Sequence, residues 1–286
     1  MAVYRRGYRR YRGNITGRWT RFMVLPRFSW RRLFQQRLVV VLTVVALIWP
    51  LLCAGFIYLT NHVDLLKGLG GEFQRFIQVN GKFFMVFMDV QAVFAIFLAA
   101  LIGPGLIAPD LANNALPLYF SRPLSRSEYV LARLTVLFGI LSMITWVPGL
   151  ILFGMQVGMA GGWWFRTNWT IGGAVVSGFA LWVLLVSLVA LASSAYVRWR
   201  MVAGGLVLGF FFILSGVSAM INGVFRVTWG HALDPAWGAY RLWCAMLQVD
   251  PPDGPGPAAC ASVLVSIILL LLLVLERKLR PVEVVS

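Results

Sequence analysis

Six long, predominantly apolar runs recur along the chain, at residues 38–60, 83–108, 130–153, 169–195, 201–222 and 259–275. A helix rises 1.5 Å per residue, so about 20 apolar residues cross ~30 Å of hydrocarbon. Inside lipid no water meets the backbone N–H and C=O groups, and only helices or closed barrels satisfy them. Runs of this length therefore predict an all-α, polytopic membrane protein with six transmembrane helices. The balance of 60% hydrophobic to 12% charged residues excludes an ordinary soluble domain. The first run follows a long basic segment with no small-residue cleavage site, and is expected to be a retained span rather than a signal peptide.

The net charge of +15 could suggest nucleic acid, but its distribution does not. With the N-terminus placed in the cytoplasm, 19 of the 25 basic residues fall on that side. They crowd the first 37 residues (Arg27, Arg31, Arg32 and Arg37 among them) and return at Arg122, Arg126 and Arg133, at Arg198 and Arg200, and at Arg277, Lys278 and Arg280. Only Lys67, Arg75, Lys82, Arg166, Arg226 and Arg241 fall outside. This positive-inside bias predicts both termini in the cytoplasm and attraction to anionic membrane lipid, with no nucleic-acid partner.

The chain reads as a single transmembrane domain: a basic segment over 1–37, a six-helix bundle over 38–275 and a tail over 276–286. Within the first part, "PRFSWRRLFQQRL" places Trp30, Leu33, Phe34 and Leu38 on one helical face, with Pro26 suited to a first turn. An interfacial amphipathic helix is expected there. Gly154 with Gly158, and Gly205 with Gly209, have helix-packing spacing and are expected to pack inside the bundle. The outer segment 223–258 carries "DPAWGAYRLWCAML", suited to short helices at headgroup level, followed by a turn-rich "DPPDGPGP". Cys244 and Cys260 bracket that region, leaving a disulfide open, and Cys53 reads as an apolar filler.

Catalytic patterns are missing. A P-loop ends in Gly-Lys-[Ser/Thr]; of three lysines only Lys82 follows a glycine, and Phe83 comes next. Ser215 and Ser218 lie in a span, whereas both histidines, His62 and His231, fall in outer segments, so no serine–base pair is expected. No His, Cys or carboxylate cluster has metal-ligand spacing. Asp89 is the one acid well inside a span, so it is either a structural group reaching the interface or, with Gln91, part of a cavity lining.

The connector "PDLANNALPLYFSRPLSRSEYVLARL" stands between the second and third runs. Asp110 is expected to cap a short helix through "LANNAL", which Pro117 limits. Ser125 and Glu128 have capping-box spacing, which starts the third span at Ser125. With Pro123-Leu124-Ser125-Arg126, followed by Tyr129, and with Asp110 after the second span, the chain resembles the ABC-2-type transporter permeases. It departs from the family's usual pattern in having "NNAL" after the acid and Ala132-Arg133 where Gly-Lys is common.

The resemblance implies a permease of the bacterial inner membrane that pairs with a second copy or a similar permease, and with two cytoplasmic ABC ATPase subunits. This chain would hold no cofactor, and ATP and Mg would bind the partner ATPase. The segment before the first span would be the elbow helix, and residues 223–258 re-entrant helices. The connector would be the coupling helix, with Asp110, Leu111, Asn113, Asn114, Leu116, Tyr119, Arg122 and Arg126 facing the ATPase. The expected function is ATP-driven export of a substrate for which a lipid-like or amphiphilic character is compatible. A non-transporting scaffold or mechanotransmitter driven by an ABC ATPase, or a channel or secondary transporter, are the competing readings.

Overall fold

Helices carry nearly the whole backbone of the computed structural model, which describes residues 18–62, 78–113, 126–197 and 199–278. In chain order they are α1 (Arg18–Leu33), α2 (Arg37–Asn61), α3 (Gly81–Ile102), α4 (Pro104–Ala112), α5 (Arg126–Ile144) and α6 (Trp146–Ala160). Next come α7 (Gly162–Tyr196), α8 (Arg200–Phe225), a 3-10 turn (Trp229–Leu233), α9 (Pro235–Met246) and α10 (Pro257–Lys278). Among the described residues, six segments are long and apolar enough to cross a membrane: α2, α3 with α4, α5 with α6, α7, α8 and α10. Each contains one of the six expected runs. The protein is a multi-pass α-helical membrane protein.

Span 4, the α7 helix, is the centre of the bundle: 72% of its most apolar window is buried, against 17% for α8 and 22% for α10. It packs on α3, α4, α5, α6, α8, α9 and α10. The helix starts at Gly162, ahead of the apolar run that follows the polar Arg166-Thr167-Asn168, and its backbone breaks at Asn168, where φ is −120°. Phe179 and Trp182 project from α7 into an aromatic core with Trp243 and Phe211, ring centres 5.4–5.9 Å apart. Such offset and edge contacts add to the burial of the rings themselves. The Trp182 indole N–H donates to the Ala92 carbonyl at 3.3 Å, so its polar atom is satisfied in the core.

Three sequence expectations are corrected. Pro26 lies mid-way along α1 rather than in its first turn, because the helix already runs from Arg18. Its packed side runs through Pro26, Ser29 and Leu33, with Trp30 beside them, whereas Phe34 and Leu38 are exposed. The chain breaks at residues 34–36, so Leu38 belongs to a new helix axis and cannot share a face with Trp30. The glycines Gly154, Gly158 and Gly205 face outward, with nothing within 4 Å of an added Cβ, and Gly209 would meet only Ile213 of its own helix. The close approaches are made elsewhere. A Cβ on Gly204 would stand 2.7 Å from the Ala100 carbonyl oxygen, the one whose helical donor is lost at Pro104. Its absence lets α8 bring a Cα–H group against that oxygen.

At the other end of the bundle, Asp234 caps α9, accepting from the backbone N–H of Ala236 at 2.9 Å and Trp237 at 3.3 Å, with Pro235 in the first turn. The helix expected at headgroup level is present, but Trp243 is only 2% exposed and reaches the core. Gly178 makes this fit possible, since a Cβ there would stand 2.8 Å from the Trp243 ring. The "DPPDGPG" segment is free of helix, the following Pro257 starting α10, and is held by Arg241, which donates to the carbonyls of Pro252 at 2.8 Å and Pro255 at 3.1 Å.

Candidate functional site

At the arginine-rich end, three elements meet around one carboxylate. Oδ2 of Asp110, near the end of α4, accepts from the Tyr129 hydroxyl at 2.6 Å and from Nη2 of Arg133 at 2.5 Å. Tyr129 and Arg133 are one helical turn apart on α5, which puts both on the face toward α4. The second arm of the Arg133 fork, Nη1, donates to Ser29 Oγ of α1 at 3.1 Å. Trp30 completes the junction by donating its indole N–H to the Val136 carbonyl at 3.0 Å, its ring seated over Gly139. The amphipathic helix, the end of span 2 and the start of span 3 are thus tied by one ion pair and its hydrogen bonds. The pair is largely shielded, Arg133 being 9% and Asp110 16% exposed in their side chains. Removing one partner from a buried pair strands the other charge, at about 3–5 kcal/mol.

This geometry corrects the expectation for Asp110. It lies in the last turn of a helix that begins at Pro104, so it caps nothing, and its carboxylate is turned inward to Arg133. Leu111 packs against the core and Asn113 ends α4 through its backbone N–H to Pro109. Asn114, Leu116, Tyr119, Arg122 and the proposed cap Ser125 lie outside the described residues. Arg126 is the first residue of α5. The basic partner at position 133, a noted departure in sequence, is the group that Asp110 holds.

Gln91 is fully buried. Its Nε2 donates to the carbonyls of Ala46 at 3.0 Å and Ile144 at 2.5 Å. Four residues beyond each carbonyl stands a proline, Pro50 and Pro148, which has no N–H to return a helical bond. One amide therefore supplies both donors that two prolines remove, and joins spans 1, 2 and 3. A related clip holds the bend at Gly103: Ser194 Oγ accepts from the N–H groups of Ile107 at 3.2 Å and Ala108 at 2.9 Å. A scan against protein-family models finds no match to this chain, and a search of the curated proteins finds none.

Asp89 is exposed, on the same stripe of α3 as the exposed Val86, Val93 and Phe97. It makes no hydrogen bond or ion pair with a described residue. Tyr240 of α9 is near enough that, after burial and the adjacent Cys244, the Asp89 charge also pushes its phenol pKa up.

A serine and a histidine do come together, contrary to the sequence expectation. Ser218 Oγ is 3.5 Å from His231 Nδ1, because the turn after α8 folds back against it. The adjacent carboxylate is engaged elsewhere: Asp234 accepts from Ser215 Oγ at 2.7 Å and caps α9. His231 is stacked on Trp237 at 4.6 Å instead of being oriented by an acid. The arrangement braces the turn and lacks the acid–base–nucleophile chain of a hydrolase. "DPAW" is a helix-start signal that marks Asp234, but nothing local pairs it with Ser215. The three cysteines are free and buried, and no metal-binding group occurs among the described residues.

Proposed function

We propose that this protein is the membrane-spanning permease subunit of an ATP-driven exporter of the ABC-2 type, working as a pair with two separate ATPase subunits. The observation that carries the reading is the Asp110–Arg133–Tyr129 junction. The connector between spans 2 and 3 starts and ends at this junction, which is also bonded to the amphipathic helix. A force applied to such a connector is delivered to three elements at once instead of being lost in a loose loop. Spans 2 and 3 are in turn coupled to span 1 through Gln91. The exposed carboxylate of Asp89 on an apolar stripe supports a face covered by a second copy or by a polar path, because a charge set against lipid is costly.

Purification of the full chain from its native membrane, together with any ATPase that stays bound, tests the reading. Intact mass should give two permeases and two ATPases, and the reconstituted complex should couple ATP hydrolysis to efflux. A lone chain that transports, or a complex whose hydrolysis no substrate alters, would refute export by this mechanism.

A further inference from the structure

Beside the junction lies a small cavity of about 100 Å³ between α1, the end of span 2, the start of span 3 and the start of span 5. Its polar lining is Ser29, Arg32, Gln36, Asp110, Arg133 and Arg200. Three guanidinium groups and one carboxylate leave it with two net positive charges. The carboxylate is already engaged by Arg133 and Tyr129, so it does not neutralise the other two arginines. Arg32 and Arg200 are exposed, and neither makes a hydrogen bond or ion pair with a described residue. The Arg200 guanidinium rests over Gly105, where an added Cβ would stand 2.8 Å from Nη2. Ser29 Oγ accepts from Arg133, which leaves its own O–H to donate.

We propose that this cavity binds a phosphate group, supplied by the headgroup of an anionic phospholipid. A phosphate offers several acceptor oxygens to the two guanidinium forks and the Ser29 hydroxyl, a match of geometry as well as charge. The volume is about that of three waters, which suits a phosphate and leaves no room for a bulky polar ligand. Leu25 and Phe28 also line the cavity, and Phe28 is 68% exposed, giving acyl chains an apolar surface next to the cationic one. The site lies where an amphipathic helix meets the ends of the spans, the depth of a lipid headgroup. The inference does not depend on the exporter reading, since it needs only the bundle and its basic end.

The test uses the purified full chain in detergent, offered equal amounts of phosphatidylglycerol and phosphatidylcholine with the same acyl chains, and native mass spectrometry to count retained lipid. The wild type is expected to retain the anionic lipid at least about tenfold more, and the Arg32→Gln/Arg200→Gln double variant to lose most of that preference. Arg31→Gln/Arg37→Gln removes the same charge from exposed positions outside the cavity and should retain it. If the double variant does not fold, Arg200→Gln alone serves, with roughly half the effect. A parallel titration with inorganic phosphate separates the two sources of the group. Protection by millimolar phosphate that disappears in the double variant, with no lipid preference, would make the ligand a soluble phosphate and overturn the lipid assignment. Equal retention of both lipids without phosphate protection, or an equal loss in both double variants, would overturn the site itself.

Discussion

Replacing Gln91 with leucine removes a side chain of similar size whose amide supplies two donors to proline-freed carbonyls. Leaving a buried acceptor without its donor costs about 1–3 kcal/mol in soluble proteins, whereas interhelical pairs in membranes average nearer ~0.6 kcal/mol. Two acceptors are affected, at Ala46 and Ile144. Against this stands a gain: Gln91 Oε1 is itself buried without a partner, and removing it recovers about 1 kcal/mol. On the soluble-protein figure the net expectation is a loss of about 1–5 kcal/mol, with the membrane average pulling it toward the lower end. Proline supplies the discriminating control. Pro148→Ala returns an N–H four residues beyond Ile144, so that carbonyl no longer needs Gln91. In that background the Gln91→Leu penalty should shrink by about 1 kcal/mol, a coupling that a mere packing defect would not produce. Unfolding in mixed micelles of mild detergent and SDS, followed by tryptophan fluorescence, measures all four proteins. An unchanged midpoint for Gln91→Leu, or the same penalty with and without Pro148, would refute the donor-replacement argument.

Asp110→Asn should destabilise by about 3–5 kcal/mol and weaken coupling to the ATPase, because Arg133 loses its counter-charge; Asp110→Leu with Arg133→Met should recover most of the stability and little of the coupling. The same unfolding assay, with ATP-driven efflux alongside, reads both. Cys244 and Cys260 should stay unlabelled by maleimide in the folded protein and react on unfolding, since both are buried and burial pushes the Cys244 thiol pKa up, away from the reactive thiolate; rapid native labelling would contradict this placement. A reporter fused after Ser286 should lie in the cytoplasm and one inserted at Gly254 outside, on the 19-to-6 asymmetry of basic residues. Reporters on one side would break the six-span order.

The sequence alone determined the class of fold, because the length and apolarity of six runs meet a constraint that each segment satisfies by itself. A helix in lipid closes its own hydrogen bonds, so its existence is a local property and appears in local composition. Asp110, Gln91 and the Tyr129–Arg133 turn were each visible as unusual residues in apolar surroundings, for the same reason. What they do was not visible. Asp110 reads as a helix cap when only its neighbours are considered, and becomes half of an ion pair once α5 packs 23 residues away. Gln91 looks like a polar group lining a path until Pro50 and Pro148 leave two carbonyls of different spans without helical donors beside it. Ser218 and His231 meet only because the chain turns back after α8. Partners of this kind are chosen by packing between helices, where many registers bury similar apolar area and the few polar groups select among them. That selection depends on the relative placement of whole spans, and only the tertiary structure decided it.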